Sequence, residues 1–216
     1  MRKITALSLA LTLIIAISFA GCRSNTADTS SAEITNAAAQ AEKNSINVLY
    51  CASDSFNPYS AATKLNRELA TLIFEPLVRL DNNFTPVYRL ASSVTVEGAR
   101  CTAVLRDAVF SDGSAVTAGD VVYSFNLAKG SATEYASQLY EAASATAADS
   151  KTVVFNLIKY DPYFVNVLDF PIIKSGSEKQ TDADSVALPP TGCGRYSVGE
   201  TRDKLLINDN FFGEKG

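Results

Sequence analysis

The sequence predicts an α/β domain, and three local patterns carry that prediction. Between 101 and 106, apolar residues alternate with their neighbours at the two-residue period of a half-buried strand, and 152–158 has the same pattern. Apolar residues between 65 and 73 recur at the spacings of an amphipathic helix. Capped helices therefore follow strands and tight turns, as in ordinary α/β scaffolds.

The N-terminal segment predicts export from the cytoplasm. Arg2 and Lys3 precede the uncharged stretch 4–20, and Gly21 and Cys22 follow it. A basic start, an apolar stretch and small residues before a cleavage point are typical of a secretory signal peptide. The cysteine after small residues makes the pattern similar to a bacterial lipoprotein signal, in which Cys22 becomes the lipid-anchored first residue. A plain signal peptide or a single membrane anchor are the alternatives, although this stretch is short for a span of about 20 residues.

The segment that follows predicts a flexible tether. Residues 23–45 are rich in Ser, Thr, Ala, Asn and Asp, so they bury too little apolar surface to offset the entropy of ordering. Removal of the basic signal changes the formal net charge from −4 to −6, which disfavours nucleic acid and anionic lipid surfaces as partners. We expect a signal peptide at 1–21, a tether at 22–45 and a folded part at 46–216.

The cysteines and the absence of histidine limit the possible chemistry. Cys51, Cys101 and Cys193 form an odd set without C-x-x-C spacing, so we expect buried free thiols or, alternatively, one disulfide. The sequence contains no His, which disfavours zinc sites and His-dependent hydrolytic triads. We therefore expect neither a metal nor a cofactor.

The folded part begins with a short apolar run, "INVLYCA" at 46–52, which has the length of a strand. The polar and turn-forming stretch 53–60, with its two aromatic residues, predicts a loop before the amphipathic helix. Pro76 ends that helix because proline lacks the amide donor and disfavours the α conformation in the preceding residue.

The middle of the chain carries strong turn and cap signals. Residues 112–113, Asp-Gly, predict a tight turn after the strand. Thr117 and Asp120 have the spacing of a capping box, which predicts a helix that ends with Gly130 at its C′ position. Asp-Pro at the start of 161–168 predicts a further short helix.

Four segments resemble the family 5 extracellular solute-binding proteins. "IFEPLVRLDNNFTPVYRLASS" follows that family's order of an aromatic-Glu pair, a short strand, an acidic turn and a proline, and "FPIIK" at 170–174 resembles a later strand. Gly192, Gly194 and Tyr196 match the family's P-x-G-T-G-P-Y, with Cys193 and Arg195 as departures. The strongest match is to the family pattern F-x-L-R-x-G-V-x-F-x-D-G-x-P-V-T-A-x-D-V-x-x-S. Ala108 and Ala115 depart from this pattern, where the family has Gly and Pro. The residues that agree with it are Leu105, Arg106, Val109, Phe110, Asp112, Gly113, Val116, Thr117, Ala118, Asp120, Val121 and Ser124.

The resemblance implies an ABC-importer receptor for a small peptide or a similar solute, with ABC permease subunits and the membrane as partners. The implied fold is α/β with mixed sheets, the incomplete first lobe of a type II periplasmic-binding-protein-like architecture. Because relatives are more than twice as long, we expect the N-terminal part of lobe one and weak or no solute binding by it alone. Nickel chelates, oligosaccharides and opine-like solutes stay open as ligands.

The resemblance also places the loop after the first strand at the mouth of a ligand cleft. Asp54 is a candidate for an ammonium group, and Asn57 for backbone amides. A purely structural role in a turn is the alternative for each candidate. The candidate ligand-binding residues are Ser53, Asp54, Phe56, Asn57 and Tyr59, with Gly192, Cys193 and Gly194 as possible sources of backbone N–H groups.

Two other function classes compete with this interpretation. A carboxylate-pair hydrolase needs two acids across a cleft, but Glu75, Asp112 and Asp120 have local structural roles in the pattern. No enzymatic activity is therefore expected. A surface interaction or sensor lipoprotein without a transport role is the other alternative.

Overall fold

The computed structural model describes residues 45–213, so the predicted signal peptide, Cys22 and nearly all of the tether lie outside the described part. Two antiparallel sheets and a hairpin carry its strands, and helices cover one face of the larger sheet. The elements are β1 (Ser45–Asn47), α1 (Lys64–Ile73), β2 (Val78–Leu80), β3 (Pro86–Tyr88), β4 (Ala91–Glu97), β5 (Arg100–Leu105), α2 (Ala118–Gly130), α3 (Glu134–Gln138), β6 (Ala142–Ala147), β7 (Thr152–Leu157), 3₁₀ turns at Phe164–Val167 and Ser177–Lys179, β8 (Tyr196–Val198) and β9 (Lys204–Ile207).

The main sheet has four strands in the order β4-β5-β7-β6, and a smaller sheet has the order β1-β9-β8. All pairs within them are antiparallel, as is the β2–β3 hairpin. In β5, Cys101 and Ala103 are buried and Thr102 and Val104 are not, as the two-residue period predicts. The α/β fold class is confirmed.

Aromatic side chains fill the space between α2 and the main sheet. The Phe125 ring of α2 lies 5.6 Å from the Phe155 ring of β7 and 6.2 Å from the Phe170 ring, measured between centroids. Phe164 packs on the other side of Phe155, with ring centroids 5.9 Å apart. Burial of each such side chain contributes about 1.5–3 kcal/mol, so this cluster anchors the segments after β7 to the sheet.

The predicted turn and helix cap are both present. Gly113 has φ +82°, a left-handed conformation that favours glycine. Thr117 Oγ1 accepts from Asp120 N at 3.4 Å, and Asp120 Oδ2 accepts from Thr117 N at 3.0 Å, which completes the capping box. Gly130, however, is the last helical residue rather than C′, because Ser131 ends the helix in an extended conformation.

Replacement of Thr117 by Ala should lower the free energy of unfolding by about 1 kcal/mol, because the first turn of α2 loses its side-chain acceptor. Urea denaturation followed by circular dichroism measures the change. Thr117→Ser is the matched control, since it keeps the hydroxyl that also donates to Asp120 Oδ2 at 2.6 Å. Equal losses in both variants would contradict a capping role for that hydroxyl.

Three predicted elements differ from the structure. The first strand is Ser45–Asn47 and ends within the apolar run, because Cys51 N bonds a side chain of α1 instead of a strand. The stretch 170–174 is not a strand, since its amides donate to separate partners: Ile172 N to Glu75 O, and Ile173 N to a serine hydroxyl of α2. Phe164–Val167 forms a 3₁₀ turn where a helix was expected.

Candidate functional site

A buried asparagine of α1 holds the loop at 51–59 in place. Asn66 is fully buried; its Oδ1 accepts from Cys51 N at 2.8 Å, and its Nδ2 donates to Cys51 O at 3.2 Å and Ser55 O at 3.1 Å. Sequence analysis did not identify this residue. A signal was present, because Asn66 shares the helical spacing of the buried residues Leu69 and Ile73, and a polar residue in an apolar stripe needs partners.

Asp54 turns its carboxylate toward the start of α1. Its Oδ1 accepts from Ser55 N and Ala62 N, and its Oδ2 accepts from Thr63 N and Thr63 Oγ1, at 2.6–3.0 Å. Four bonds fill the acceptor sites of a carboxylate. The bonds from the Thr63 hydroxyl and the Ala62 and Thr63 amides hold the pKa of Asp54 well below its usual range. Because these donors are neutral, they do not compensate the negative charge of the carboxylate.

The other candidates of this loop are mostly turned inward. Asn57 Oδ1 accepts from Tyr59 N at 3.0 Å in a local turn. Phe56 is buried and stacks on Tyr50 with 5.3 Å between ring centroids. Tyr59 is buried and its hydroxyl donates to Pro171 O. Ser53 is exposed. The loop therefore presents Ser53 and one edge of Asp54 and Phe56 to a neighbouring cavity.

Two adjoining cavities lie beside this loop, and we call them together the Pro189 groove. The first, of about 360 Å³, has Ser53, Asp54 and Phe56 on one wall. The second, of about 300 Å³, extends to Gly192. Leu188, Pro189 and Arg202 line both cavities. The groove thus brings the predicted loop and Gly192 to one surface feature.

Arg202 supplies the positive charge of the Pro189 groove, and sequence analysis did not identify it. Its Nη2 lies 2.7 Å from Asp182 Oδ2, so part of its charge is compensated. Asp182 Oδ1 in turn accepts from Asp184 N and Val186 N and fixes the turn before the groove wall. Asp54 and Arg202 therefore place opposite charges in the lining of the same groove.

The three-residue stretch Gly192 to Gly194 has a structural role that is clear from its contacts. Gly194 N donates to Ile73 O at 2.8 Å, at the end of α1. A Cβ on Gly192 would lie 2.2 Å from that oxygen, so only glycine fits. Cys193 is fully buried, and burial raises the pKa of its thiol to about 12, which keeps it neutral. Backbone contact with a ligand at Cys193 and Gly194 stays a prediction.

The acidic residues considered for catalysis have structural partners. Glu75 is buried against Arg89, Asp120 Oδ1 accepts from Ser175 N at 2.9 Å, and Asp112 pairs with Lys174 at 2.5 Å. Within residues 45–213, no group of three His, Cys, Asp or Glu side chains could hold a metal ion. In the same part of the chain, Cys101 and Cys193 are buried free thiols, as expected, whereas the free thiol Cys51 is only partly buried.

Acid should destabilise the fold between about pH 4 and pH 2. Burial acts to raise the pKa of Asp112, but Lys174 and Ser114 outweigh it and lower the pKa to about 2. A depressed carboxylate pKa gives stability that is present above the unfolded-state value of about 3.9 and is lost as the pH falls through the folded-state value. Asp54 adds to the effect in the same direction.

Urea denaturation at several pH values from 2.5 to 6 measures this dependence. In Asp112→Asn, the free energy of unfolding should decrease less steeply with falling pH, because asparagine has no carboxylate that could be protonated. The exposed Asp184→Asn is the matched control and should leave the slope unchanged. An equal slope in the parent and in Asp112→Asn would contradict the assignment.

One of the comparisons with known proteins identifies a family. The family model "Bacterial extracellular solute-binding proteins, family 5 Middle" matches residues 85–215. A search of curated protein sequences finds no match. None of the helices in residues 45–213 has the length and apolar character needed to cross a membrane.

Several solved structures share the fold. MoaA from A. tumefaciens R10, in complex with mannopinic acid, is 26% identical with a TM-score of 0.64, over 77% of this chain and 36% of MoaA. AppA from Bacillus subtilis, in complex with a nonapeptide, is 22% identical with a TM-score of 0.61, over 73% of this chain and 34% of AppA. NikZ from Campylobacter jejuni, in complex with Ni(L-His), is 21% identical with a TM-score of 0.59, over 78% and 36%.

This chain thus spans about a third of the length of these solved proteins. The family match includes the Asp-Gly turn, the capping box and the stretch from Gly192 to Gly194, and it begins within the resembling stretch 73–93. The chain belongs to the family 5 bacterial extracellular solute-binding proteins.

Proposed function

We propose that this chain is a solute-binding component of an ABC importer that takes a small peptide or a similar solute in the Pro189 groove. The observation that carries the proposal is the lining of the groove, which places Asp54 and Arg202 among apolar side chains. A short peptide has an ammonium group at one end and a carboxylate at the other. Burial of either charge is unfavourable unless a partner of opposite charge is near.

The roles of the two charges differ. The acceptor sites of Asp54 are filled by neutral donors, so it would attract an ammonium group through its charge rather than through a new short hydrogen bond. Arg202 has spare guanidinium donors beside Asp182 and can bind a carboxylate with two of them. Tyr50 and Phe56 would cover the apolar part of the solute.

The same proposal includes the cellular context. The family is extracellular, and we propose that Cys22 is lipidated after removal of 1–21, so that 22–45 tethers the folded part to the membrane beside the permease. Solute capture without turnover is the proposed activity. Cys22→Ser should move the protein from the membrane fraction to the soluble extracytoplasmic fraction; an unchanged distribution would contradict the lipid anchor.

Nuclear magnetic resonance titration with trialanine up to millimolar concentration tests the groove. We expect saturable binding that is weakened by N-acetylation and by C-terminal amidation, with recovery of intact peptide. Arg202→Gln should remove the preference for trialanine with a free C-terminal carboxylate over C-terminally amidated trialanine. Replacement of the exposed Arg100 by Gln is the matched control and should retain that preference. No saturable binding, or an unchanged preference in Arg202→Gln, would overturn the proposed site.

A further inference from the structure

A third cavity lies near the C-terminal end of α1 and shares no lining residue with the Pro189 groove. Its volume is about 260 Å³, which is below the roughly 300–1,000 Å³ typical of ligand pockets. A ligand that fills it therefore has few non-hydrogen atoms. The lining residues are Thr71, Phe74, Pro76, Arg79, Leu80, Tyr135, Asp169 and Pro171.

Asp169 is the unusual member of this lining. Its Oδ1 is shielded from solvent and has no hydrogen-bond partner among the described residues. Burial, with a smaller contribution from Glu134, raises the pKa of this carboxyl. A hydrogen bond from its own backbone amide opposes this increase, but Oδ1 lacks the partner that buried polar atoms normally have. A cationic group in the cavity would supply it.

Arg79 lies on the same cavity and is only loosely held. Its Nη2 lies 3.7 Å from Glu75 Oε2 and 3.5 Å from Thr71 O. Glu75 already accepts two shorter bonds from Arg89, at 2.8 and 3.0 Å. Because the Arg79 side chain is 45% exposed and weakly paired, its guanidinium has donors left for an anion.

Aromatic and hydrogen-bond contacts hold the apolar wall of the cavity. The Tyr135 ring meets the Tyr59 ring edge to face, with 6.0 Å between centroids, and the Tyr59 hydroxyl donates to Pro171 O. Phe74 is buried and also lines the cavity. Tyr59, expected from the sequence to be a ligand-contacting wall, therefore supports the wall of this cavity from behind.

We propose that this cavity binds a small zwitterion of the size and chemistry of an apolar α-amino acid, with its ammonium group at Asp169, its carboxylate at Arg79 and its side chain against Tyr135 and Phe74. The site is separate from the Pro189 groove, and the proposal does not rest on the function proposed for that groove.

Calorimetric titration of the purified full chain tests the proposal with three probes: L-leucine, 4-methylpentanoate, which lacks the amine, and 3-methylbutylamine, which lacks the carboxylate. Leucine should bind at least tenfold more tightly than either analogue. Asp169→Asn should remove the preference for leucine over 4-methylpentanoate. The exposed Asp184→Asn is the matched control and should retain it.

Arg79→Gln is the second variant, and it keeps the test valid if Asp169→Asn does not fold, because Arg79 is half exposed. It should weaken leucine binding at least tenfold and leave 3-methylbutylamine binding unchanged. Arg202→Gln should leave leucine binding unchanged, which separates this cavity from the Pro189 groove. No saturable leucine binding, or leucine binding that neither Asp169→Asn nor Arg79→Gln changes, would overturn the proposal.

Discussion

Replacement of Gly192 by Ala should destabilise the fold by about 3 kcal/mol or more, because the added methyl group has no space. Its Cβ would lie 2.2 Å from Ile73 O and 2.6 Å from Phe74 Cδ1. Ile73 and Phe74 are almost completely buried, so neither can move aside without disturbing the core. Overpacking of a well-packed core typically costs about 1–3 kcal/mol and occasionally more, and here one clashing atom belongs to the backbone.

Gly194→Ala should have a similar effect, since its Cβ would lie 2.5 Å from Ile73 C and 2.6 Å from Ile73 O. Thermal and urea unfolding followed by circular dichroism measure both changes. Gly130→Ala is the matched control and should not destabilise the fold, because its Cβ would meet nothing within 4 Å at the last position of α2. A loss below 1 kcal/mol for Gly192→Ala would mean that the contact with α1 can open.

These glycines show what the sequence could and could not predict. The motif drew attention to Gly192 and Gly194, but a turn was expected, and the physical reason is close approach to the end of α1. That contact joins residues more than a hundred positions apart, and no local pattern contains it. The capping box of Thr117 and Asp120 was predictable because all its atoms belong to one helical turn.

The same distinction applies to the candidate sites. Residues 53–60 were predictable as a loop from their turn chemistry. The inward orientation of the Asp54 side chain depends on its contact with Thr63, and that of Asn66 on its contact with Cys51. Both are tertiary contacts, which a local pattern does not contain. Arg202 gave no local signal, because a charged residue in a polar segment usually lies in solvent. Asp169 lies between the apolar residues Leu168 and Phe170, a signal that sequence analysis did not use. Their proximity to cavities results from packing alone.

Arg89→Met should destabilise the fold by about 3 kcal/mol, because it leaves the buried carboxylate of Glu75 with one distant cation. Arg89 Nε lies 2.8 Å from Glu75 Oε2, and its Nη2 lies 3.0 Å from Oε1. The Glu75 side chain is 5% exposed, so water cannot replace the lost partner. Removal of one member of a buried ion pair costs about 3–5 kcal/mol. We expect a loss at the low end of this range, because Arg79 Nη2 still lies 3.7 Å from Glu75 Oε2.

Two further variants distinguish the loss of the Glu75–Arg89 ion pair from the loss of an arginine side chain as such. Arg79→Met should cost less than about 1 kcal/mol, since Arg79 is exposed and its contact with Glu75 is long. The double variant Glu75→Met/Arg89→Met should recover much of the stability that Arg89→Met loses, because an apolar pair of similar volume often replaces a buried ion pair without loss. Equal losses for Arg79→Met and Arg89→Met in urea denaturation would contradict this assignment.

The buried residue Glu75 joins several segments of the chain. Its carbonyl accepts from Ile172 N at 3.0 Å, so this residue joins the end of α1 to the stretch before the Ser177–Lys179 turn. Its carboxylate joins the same point to Arg89, between β3 and β4. Glu75 therefore fixes three segments next to Phe74 and Pro76, which line the third cavity. Arg89→Met should weaken leucine binding there along with stability, whereas Thr117→Ala should reduce stability alone.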